Sequence, residues 1–316
     1  MKSKSLTILC CILLTGCSKS PETNPEILWD SYGVPHIYAD NYNDLFYAYG
    51  WSQMRNHGNL LLKLYGQARG QGAEYFGEKH LKSDQWVHTH NITQRSLDWW
   101  EKQDPDIRKM MTAFTDGIND YANENPDEID DLNQSILPAR PEDCFSHFQR
   151  VILFHFVTNP GIATFNPASI IKDRGSNTWA IGPSRSESGN AMLIANPHLP
   201  WFDMFTWFEA HTISHDLNAY GAGLVGMPFL GIAFNDYMGW SHTNNVHDGQ
   251  DLYELTLIDD GYQWGDGIQH FDERTVEIKV RNDDGNMTAS EFLIRESVHG
   301  PVVSEKDGKA YALRVV

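Results

Sequence analysis

"RGSNTWAIGPSRSESGNAMLIANPHLP" (residues 174–200) is the stretch on which the reading of this chain turns. Its middle, "PSRSESGN" (183–190), is made of turn-forming residues and lies between two apolar runs, 177–181 and 191–195, so the stretch predicts a β-hairpin. A hairpin needs only its turn. It needs neither Gly175-Ser176 at its start nor Asn196-Pro197-His198 at its end, and those extra residues raise a question of chemistry.

Outward from the hairpin the texture of the sequence differs on the two sides. Upstream, "ILWDSYGVPHIYADN" (27–41) reads as two short strands broken at Gly33 and Pro35. Apolar residues then recur at helical spacing over 43–69 (Leu45, Ala48, Met54, Leu61, Tyr65), with Asn43 or Asp44 available as the cap. Further helices are expected over 94–103, 106–123 and 141–157, the last opening on Pro-Glu-Asp, with an acidic loop at 125–131. Residues 161–173 have no clean period. Downstream, strand-like runs follow at 206–213, 219–224, 231–234, 252–257, 274–280 and 290–297. The chain is thus read as helical before about residue 160 and β after it, an α+β class. It stops in a strand pattern, "GPVVSEKDGKAYALRVV", which reads as the end of a cut fragment rather than of a finished domain.

The composition narrows the partners. Hydrophobic residues make up 41% and charged residues 21% of the 316, values of a globular protein with a real core. With 24 basic and 42 acidic residues the formal charge is −18, a field that repels phosphate backbones and anionic membrane surfaces, so nucleic acid is excluded as a partner. At the start, Lys2 and Lys4 precede an apolar stretch (6–14) and "LTGC" (14–17). This is an export signal, too short for the ~20 apolar residues that span a bilayer. The Leu-x-Gly-Cys spacing resembles a bacterial lipobox and is preferred to an ordinary secretory signal. Cys17 then carries the lipid, residues 18–26 form a tether, and the protein is periplasmic or at the cell surface. Ser18 points to the outer membrane of a Gram-negative cell. Cys10 and Cys11 leave with the signal, so Cys144 is the remaining thiol and no intramolecular disulfide forms. Cys144 sits in a predicted helix with apolar neighbours and is read as a buried structural thiol rather than a nucleophile.

Several hydrolase signatures are missing: there is no G-x-S-x-G elbow, no Walker loop and no G-x-G-x-x-G. "HTISH" spaces His211 and His215 like zinc ligands but lacks the glutamate. It also lies in a strand-like run that would set both histidines on one sheet face, so a hydrogen-bonded pair is preferred to a metal hydrolase. Ser176 remains. A serine hydroxyl is a weak nucleophile unless a base adjoins it. The most compact arrangement makes the serine N-terminal, so that its own α-amine, of pKa ~7.7–8.0, is that base. This requires cleavage of the Gly175–Ser176 bond, and Gly175 offers no side chain to obstruct the attack. On the residues alone, a Gly-Ser turn before a strand stays open as the alternative.

Six ordered motifs favour the nucleophile. "YGVPHIYADN" (32–41), "AYGWSQMRNHGNLLL" (48–62), "GAEYFG" (72–77), "RGSNTWAIGP" (174–183), "NPHLPW" (196–201) and "GWSHTNNVHDGQDLYEL" (239–255) together resemble the penicillin acylase family of N-terminal-nucleophile hydrolases. That family includes acyl-homoserine-lactone and cyclic-lipopeptide acylases. The resemblance runs from about Ile27 to Val316. It implies a four-layer αββα sandwich with a helical α-subunit (27–158), a linker (159–175) and the N-terminal part of a β-subunit (176–316), an α/β heterodimer cut from one precursor. It implies Ser176 as the self-released nucleophile, His198 as the group that orients it, and the backbone N–H of Asn244 as one oxyanion donor. The family's second donor, an asparagine side chain, falls beyond Val316. Asp248 and Asp251 lie where some members bind calcium, but two carboxylates are few for that ion and a structural loop is preferred. The implied substrate is a small molecule with an N-acyl amide, and Trp201, Phe202, Phe205 and Phe229 are candidates for its acyl pocket, though aromatic residues at such spacings also serve as plain core. The competing reading is a truncated, catalytically inactive lipoprotein acting at most as a binding module.

Overall fold

The computed structural model describes residues 25–158, 175–244 and 249–315. Two short antiparallel strands come first, β1 (Glu26–Trp29) and β2 (Pro35–Tyr38). The turn between them is held by Asp30, whose carboxylate accepts the backbone N–H of Tyr32 and of Val34.

Seven helices follow: α1 (Tyr42–Ala68), α2 (Gly72–Phe76), α3 (Leu81–Thr89), α4 (Ile92–Glu101), α5 (Pro105–Glu124), α6 (Asp131–Gln134) and α7 (Pro141–Val151). Neither Asn43 nor Asp44 caps α1. Asn41 does, because its extended backbone lets the side-chain oxygen accept the N–H of Asp44 at 3.0 Å. Helix α1 is kinked at His57, which has non-helical angles. It packs along α5 at close range: a Cβ on Gly50 would sit 1.9 Å from the Phe114 carbonyl oxygen, and one on Gly117 would sit 2.0 Å from that of Tyr47. Around this contact Leu45, Met54, Leu61, Tyr65, Phe114 and Ile118 are buried. Helix α2 has no local cap. Its first N–H groups, on Gly72 and Ala73, are accepted by the Asp84 carboxylate of α3 at 3.0 and 2.6 Å, which is why no cap signal precedes it in the sequence.

After the helices the chain is β. The hairpin of β3 (Ser176–Ile181) and β4 (Met192–Pro197) forms a two-stranded sheet of its own. Strands β5 (Trp207–Ile213), β6 (Asn218–Leu224), β7 (Ile232–Phe234) and β8 (Gly239–Trp240) extend the first pair into a six-stranded sheet of order β1-β2-β5-β6-β7-β8, in which β2 and β5 run parallel. Phe208 and Ala210 of β5 join Ile37 of β2 and Tyr49 of α1 in the core. A second, seven-stranded sheet has the order β11-β10-β9-β15-β14-β13-β12 and is antiparallel throughout. Its strands are β9 (Gln250–Ile258), β10 (Gly261–Trp264), β11 (Gly267–His270), β12 (Asp272–Arg281), β13 (Met287–Ser297), β14 (Gly300–Lys306) and β15 (Lys309–Val315). Ile278 and Val280 of β12 bury themselves on Ala73 of α2. The α+β class expected from the sequence is what forms: the six-stranded sheet packs on the helices through Ile37, Phe208 and Ala210 and the seven-stranded sheet through β12, while Leu255, Tyr262, Ala310 and Ala312 make a separate core within the seven-stranded sheet. Strands β8, β10 and β11 have no counterpart among the expected elements: they are two to four residues long and too short to show alternation.

Candidate active site

The hairpin register explains a spacing that the linear sequence leaves obscure. Ser176 pairs with Pro197 and Asn177 with Asn196, so Gly175 and His198 meet across the open end. The His198 N–H donates to the Gly175 carbonyl at 3.1 Å. The ring lies beside the same residue: a Cβ on Gly175 would be 3.5 Å from His198 Nδ1. Asn177 Nδ2 donates to His198 Nε2 at 3.1 Å, which fixes the ring and turns Nδ1 towards Gly175. The Ser176 hydroxyl donates to the Gly175 carbonyl oxygen at 2.6 Å.

The hairpin lies against β8. Leu193 of β4 contacts Gly239, and the Thr178 hydroxyl donates to Ser241 Oγ at 3.1 Å. That bond ties the strand carrying Ser176 to the segment ending at Asn244, and both Ser176 and Asn244 line one cavity of about 600 Å³. Most of its wall is apolar. Phe148 and Val151 come from α7, Ile152 and Phe156 from the π-helical turn (Ile152–Val157) that continues it, and Trp207, Leu224 and Met227 from the six-stranded sheet and the loop after β6. The Thr158 N–H bonds the Leu153 carbonyl at 2.7 Å, the five-residue step of a π turn. Among the described residues, His242 is the one titratable side chain on this wall. The described part of this wall is therefore mainly apolar.

The loop wall is held from the helical half by buried hydrogen bonds. Gln53 of α1, fully buried, donates to the Met227 carbonyl at 3.0 Å and accepts the Gly226 N–H at 2.9 Å. The Tyr65 hydroxyl donates to the Gly226 carbonyl at 2.8 Å, and His147 Nε2 donates to the Val225 carbonyl at 3.0 Å. Gly226 sits at φ +85°, and a Cβ there would lie 3.1 Å from both the His147 and Tyr65 rings, so a side chain is excluded twice over. Burial pushes the His147 pKa down to about 3, which keeps the ring neutral and Nε2 protonated as donor. No sequence signal marks Gln53, Tyr65 or His147 as a set, because their partners lie more than seventy residues away.

The remaining expectations divide. Of the four aromatic candidates for the pocket, Phe229 lines the cavity, its ring edge-on to Phe148 with centroids 5.9 Å apart. Phe205 lies behind the wall, buried with Val151, Leu224 and Met227. Trp201 and Phe202 do not line the cavity: they are 95% and 69% exposed. Asp203, at φ +55°, starts the short turn Asp203–Phe205, and Phe205 enters the core while the residues before it remain outside. Phe148, Ile152 and Phe156 line the cavity without having been singled out by the sequence. Their i, i+4, i+8 stripe is visible there, but such a stripe marks plain core equally well.

Strand β5 ends at Ile213, so His211 and His215 do not share a sheet face as their spacing suggested. His211 bonds His36 at 3.0 Å and Asn218 at 2.7 Å, whereas His215 sits in the following turn beside Asp216. Cys144 is buried against the Tyr65 hydroxyl, and burial pushes its thiol up to about 12, out of the range of a nucleophile. Asp248 and Cys17 lie outside the described residues. Asp251 is exposed on β9 opposite Arg314, and among the described residues no three metal-ligating side chains gather. Among the described residues no helix is long and apolar enough to cross a membrane.

Known proteins resemble the chain along most of its length. The sequence profile of the penicillin amidase family matches residues 24–316. The acyl-homoserine lactone acylase PvdQ of Pseudomonas fluorescens Pf-5 is 27% identical across 89% of this chain. The acyl-homoserine lactone acylase QuiP of Pseudomonas aeruginosa PAO1 is 24% identical across 90%. In both comparisons the chain spans 41% of the relative's length. Among solved structures, a thermostable penicillin G acylase from Alcaligenes faecalis aligns over 44% of this chain and 25% of its own, at 24% identity and a TM-score of 0.39.

Proposed function

The chain belongs to the penicillin amidase family, and on that basis we propose that it is an amidohydrolase whose nucleophile is the Ser176 hydroxyl, released by self-cleavage. The observation that carries this reading is the shared cavity: Ser176 and the Asn244 segment border one apolar space of about 600 Å³. In the first reaction Ser176 Oγ attacks the Gly175 carbonyl carbon. The Ser176 nitrogen leaves as an α-amine, and water hydrolyses the Gly175 ester on Oγ. The hydroxyl already bonds the Gly175 carbonyl oxygen, so a χ1 rotation takes Oγ from that oxygen towards its carbon. The product is an α/β heterodimer.

In the second reaction the freed α-amine takes the hydroxyl proton, and Oγ attacks the carbonyl carbon of an N-acyl amide whose acyl group fills the cavity. The Asn244 backbone N–H stabilises the developing oxyanion, and His198, held by Asn177, orients the amine. The substrate's amine leaves with the proton that the Ser176 α-amine returns, and water then hydrolyses the acyl ester on Oγ to release the acid and restore the hydroxyl. Mature protein should show a second chain beginning Ser-Asn-Thr-Trp. Ser176→Ala should stay uncut and hydrolyse no N-acyl amide, whereas Ser176→Cys should still cut. An intact Gly175–Ser176 bond in protein that hydrolyses amides refutes the mechanism. The residues before the tether support export and a lipid anchor on Cys17, the chain's one link to a membrane in this reading. Labelled palmitate should enter the wild type and not Cys17→Ala, and label on the variant removes the anchor from the proposal.

A further inference from the structure

The two histidines spaced like zinc ligands in the sequence do not meet each other, but one of them meets a third. His36 of β2 and His211 of β5 are partners in the parallel register of these strands. They stand on the face of the six-stranded sheet turned away from the helices, since their chain neighbours Ile37 and Ala210 are buried on the other face. Their Nδ1 atoms lie 3.0 Å apart, with the rings at 75° to each other. Each outer nitrogen faces an oxygen: His211 Nε2 is 2.7 Å from Asn218 Oδ1, and His36 Nε2 is 3.8 Å from Asp30 Oδ2. An amide oxygen only accepts, so His211 carries its proton on Nε2 and turns the lone pair of Nδ1 towards His36. Asp30 Oδ1 accepts the N–H groups of Tyr32 and Val34, which holds that carboxylate in place with Oδ2 towards His36.

Two imidazole nitrogens converge here, and each ring is oriented through its other nitrogen by an oxygen, as metal-ligating histidines are. The separation discriminates between ions. At metal–nitrogen distances of ~2.0–2.1 Å, two ligands at a right angle stand ~2.8–3.0 Å apart and two at the tetrahedral angle ~3.3–3.4 Å. The observed 3.0 Å is that of neighbouring ligands on a square-planar or octahedral ion. We propose that His36 and His211 form a site for a divalent transition-metal ion, copper(II) ahead of nickel(II), with water in the remaining positions. Without the ion, His36 Nδ1–H donates to His211 Nδ1. On binding, His36 exchanges that proton with water for one on Nε2, which turns to Asp30 Oδ2, and both Nδ1 lone pairs go to the metal. The site is a chelate reached from solvent, the His36 side chain being 28% exposed. Strand β2 precedes the Gly175–Ser176 bond and β5 follows it. In protein cleaved as proposed above, a consequence that rests on that reading, the ion joins the two chains.

Calorimetric titration of the untagged chain with copper(II), nickel(II) and zinc(II) chlorides tests the site, and electron paramagnetic resonance reads the nitrogens bound to copper. Wild type should take up a copper(II) ion with two nitrogen ligands that His36→Asn and His211→Asn both lose, and should bind copper above nickel above zinc. Asn218 is exposed, so its variants test the site without disturbing the core. Asn218→Ala should weaken copper binding ~10–100-fold, and Asn218→Asp, which still accepts the Nε2 proton, should restore it. His215→Asn, in the turn after β5, should change nothing. Copper binding that is the same in wild type and His211→Asn overturns the proposal, as does zinc held as tightly as copper or an Asn218→Ala variant that binds like wild type. In cleaved protein, copper should raise the urea midpoint of wild type and leave that of His211→Asn unchanged, and equal shifts would place the ion away from the β2–β5 seam and refute the site. The uncut Ser176→Ala chain should bind copper as wild type does. Copper on His36 and His211 of a chain that never cuts itself leaves the site standing while the self-cleavage reading falls.

Discussion

Replacing Gln53 by leucine removes both ends of the clamp between α1 and the loop that walls the cavity. The side chain is fully buried, and its two bonds reach the Met227 carbonyl at 3.0 Å and the Gly226 N–H at 2.9 Å. Neither backbone group has water to turn to once the amide is gone. Each buried group left without a partner costs ~1–3 kcal/mol, so the two together cost about 2–6 kcal/mol. Leucine recovers part of this through apolar burial, which puts the expected loss at about 2–4 kcal/mol. That is a large fraction of the ~5–15 kcal/mol by which domains are stable. Urea unfolding followed by tryptophan fluorescence measures the loss, and amide exchange at Gly226 locates it. Faster exchange at Gly226 should accompany the lower midpoint. A change under about 0.5 kcal/mol with Gly226 still protected would mean that the loop does not depend on α1, and the clamp reasoning would be wrong.

Two further outcomes follow from packing and burial. Gly117→Ala should lower the melting temperature although alanine favours a helix by ~1 kcal/mol, because its Cβ would meet the Tyr47 carbonyl oxygen at 2.0 Å and force α1 from α5. A variant as stable as wild type would refute that contact. His147 gives a pH dependence whose sign is set by its depressed pKa of about 3 against ~6.5 unfolded. Its neutral form is the folded one, so its contribution is complete above pH ~6.5. It is lost as the pH falls towards 3, at about 1.4 kcal/mol per pH unit. His147→Gln should flatten the acid limb of stability against pH, and an unchanged limb would exclude His147 as its source.

The features legible in the chain before it folds are those that adjacent residues enforce. The hairpin from Ser176 to Pro197 was legible because turn residues and apolar runs act within a few positions of each other. Helices α1, α5 and α7 were legible because their apolar faces repeat over many turns. The choice of Ser176 needed six motifs in order, since one Gly-Ser pair has no distinguishing physics. Tertiary contacts settle the rest. Helix α2 exists because Asp84 reaches back to its first N–H groups. Trp207 and Phe229 line the cavity while Trp201 and Phe202 face water, and all four are aromatic residues in one short region. Which face each ring presents depends on the strand beside it and on the turn at Asp203. The loop at Met227 holds its place through Gln53, a partner 174 residues earlier in the chain. Periodicity reports only that a side chain is buried. What it is buried against is set by contacts between segments whose separation no local pattern records.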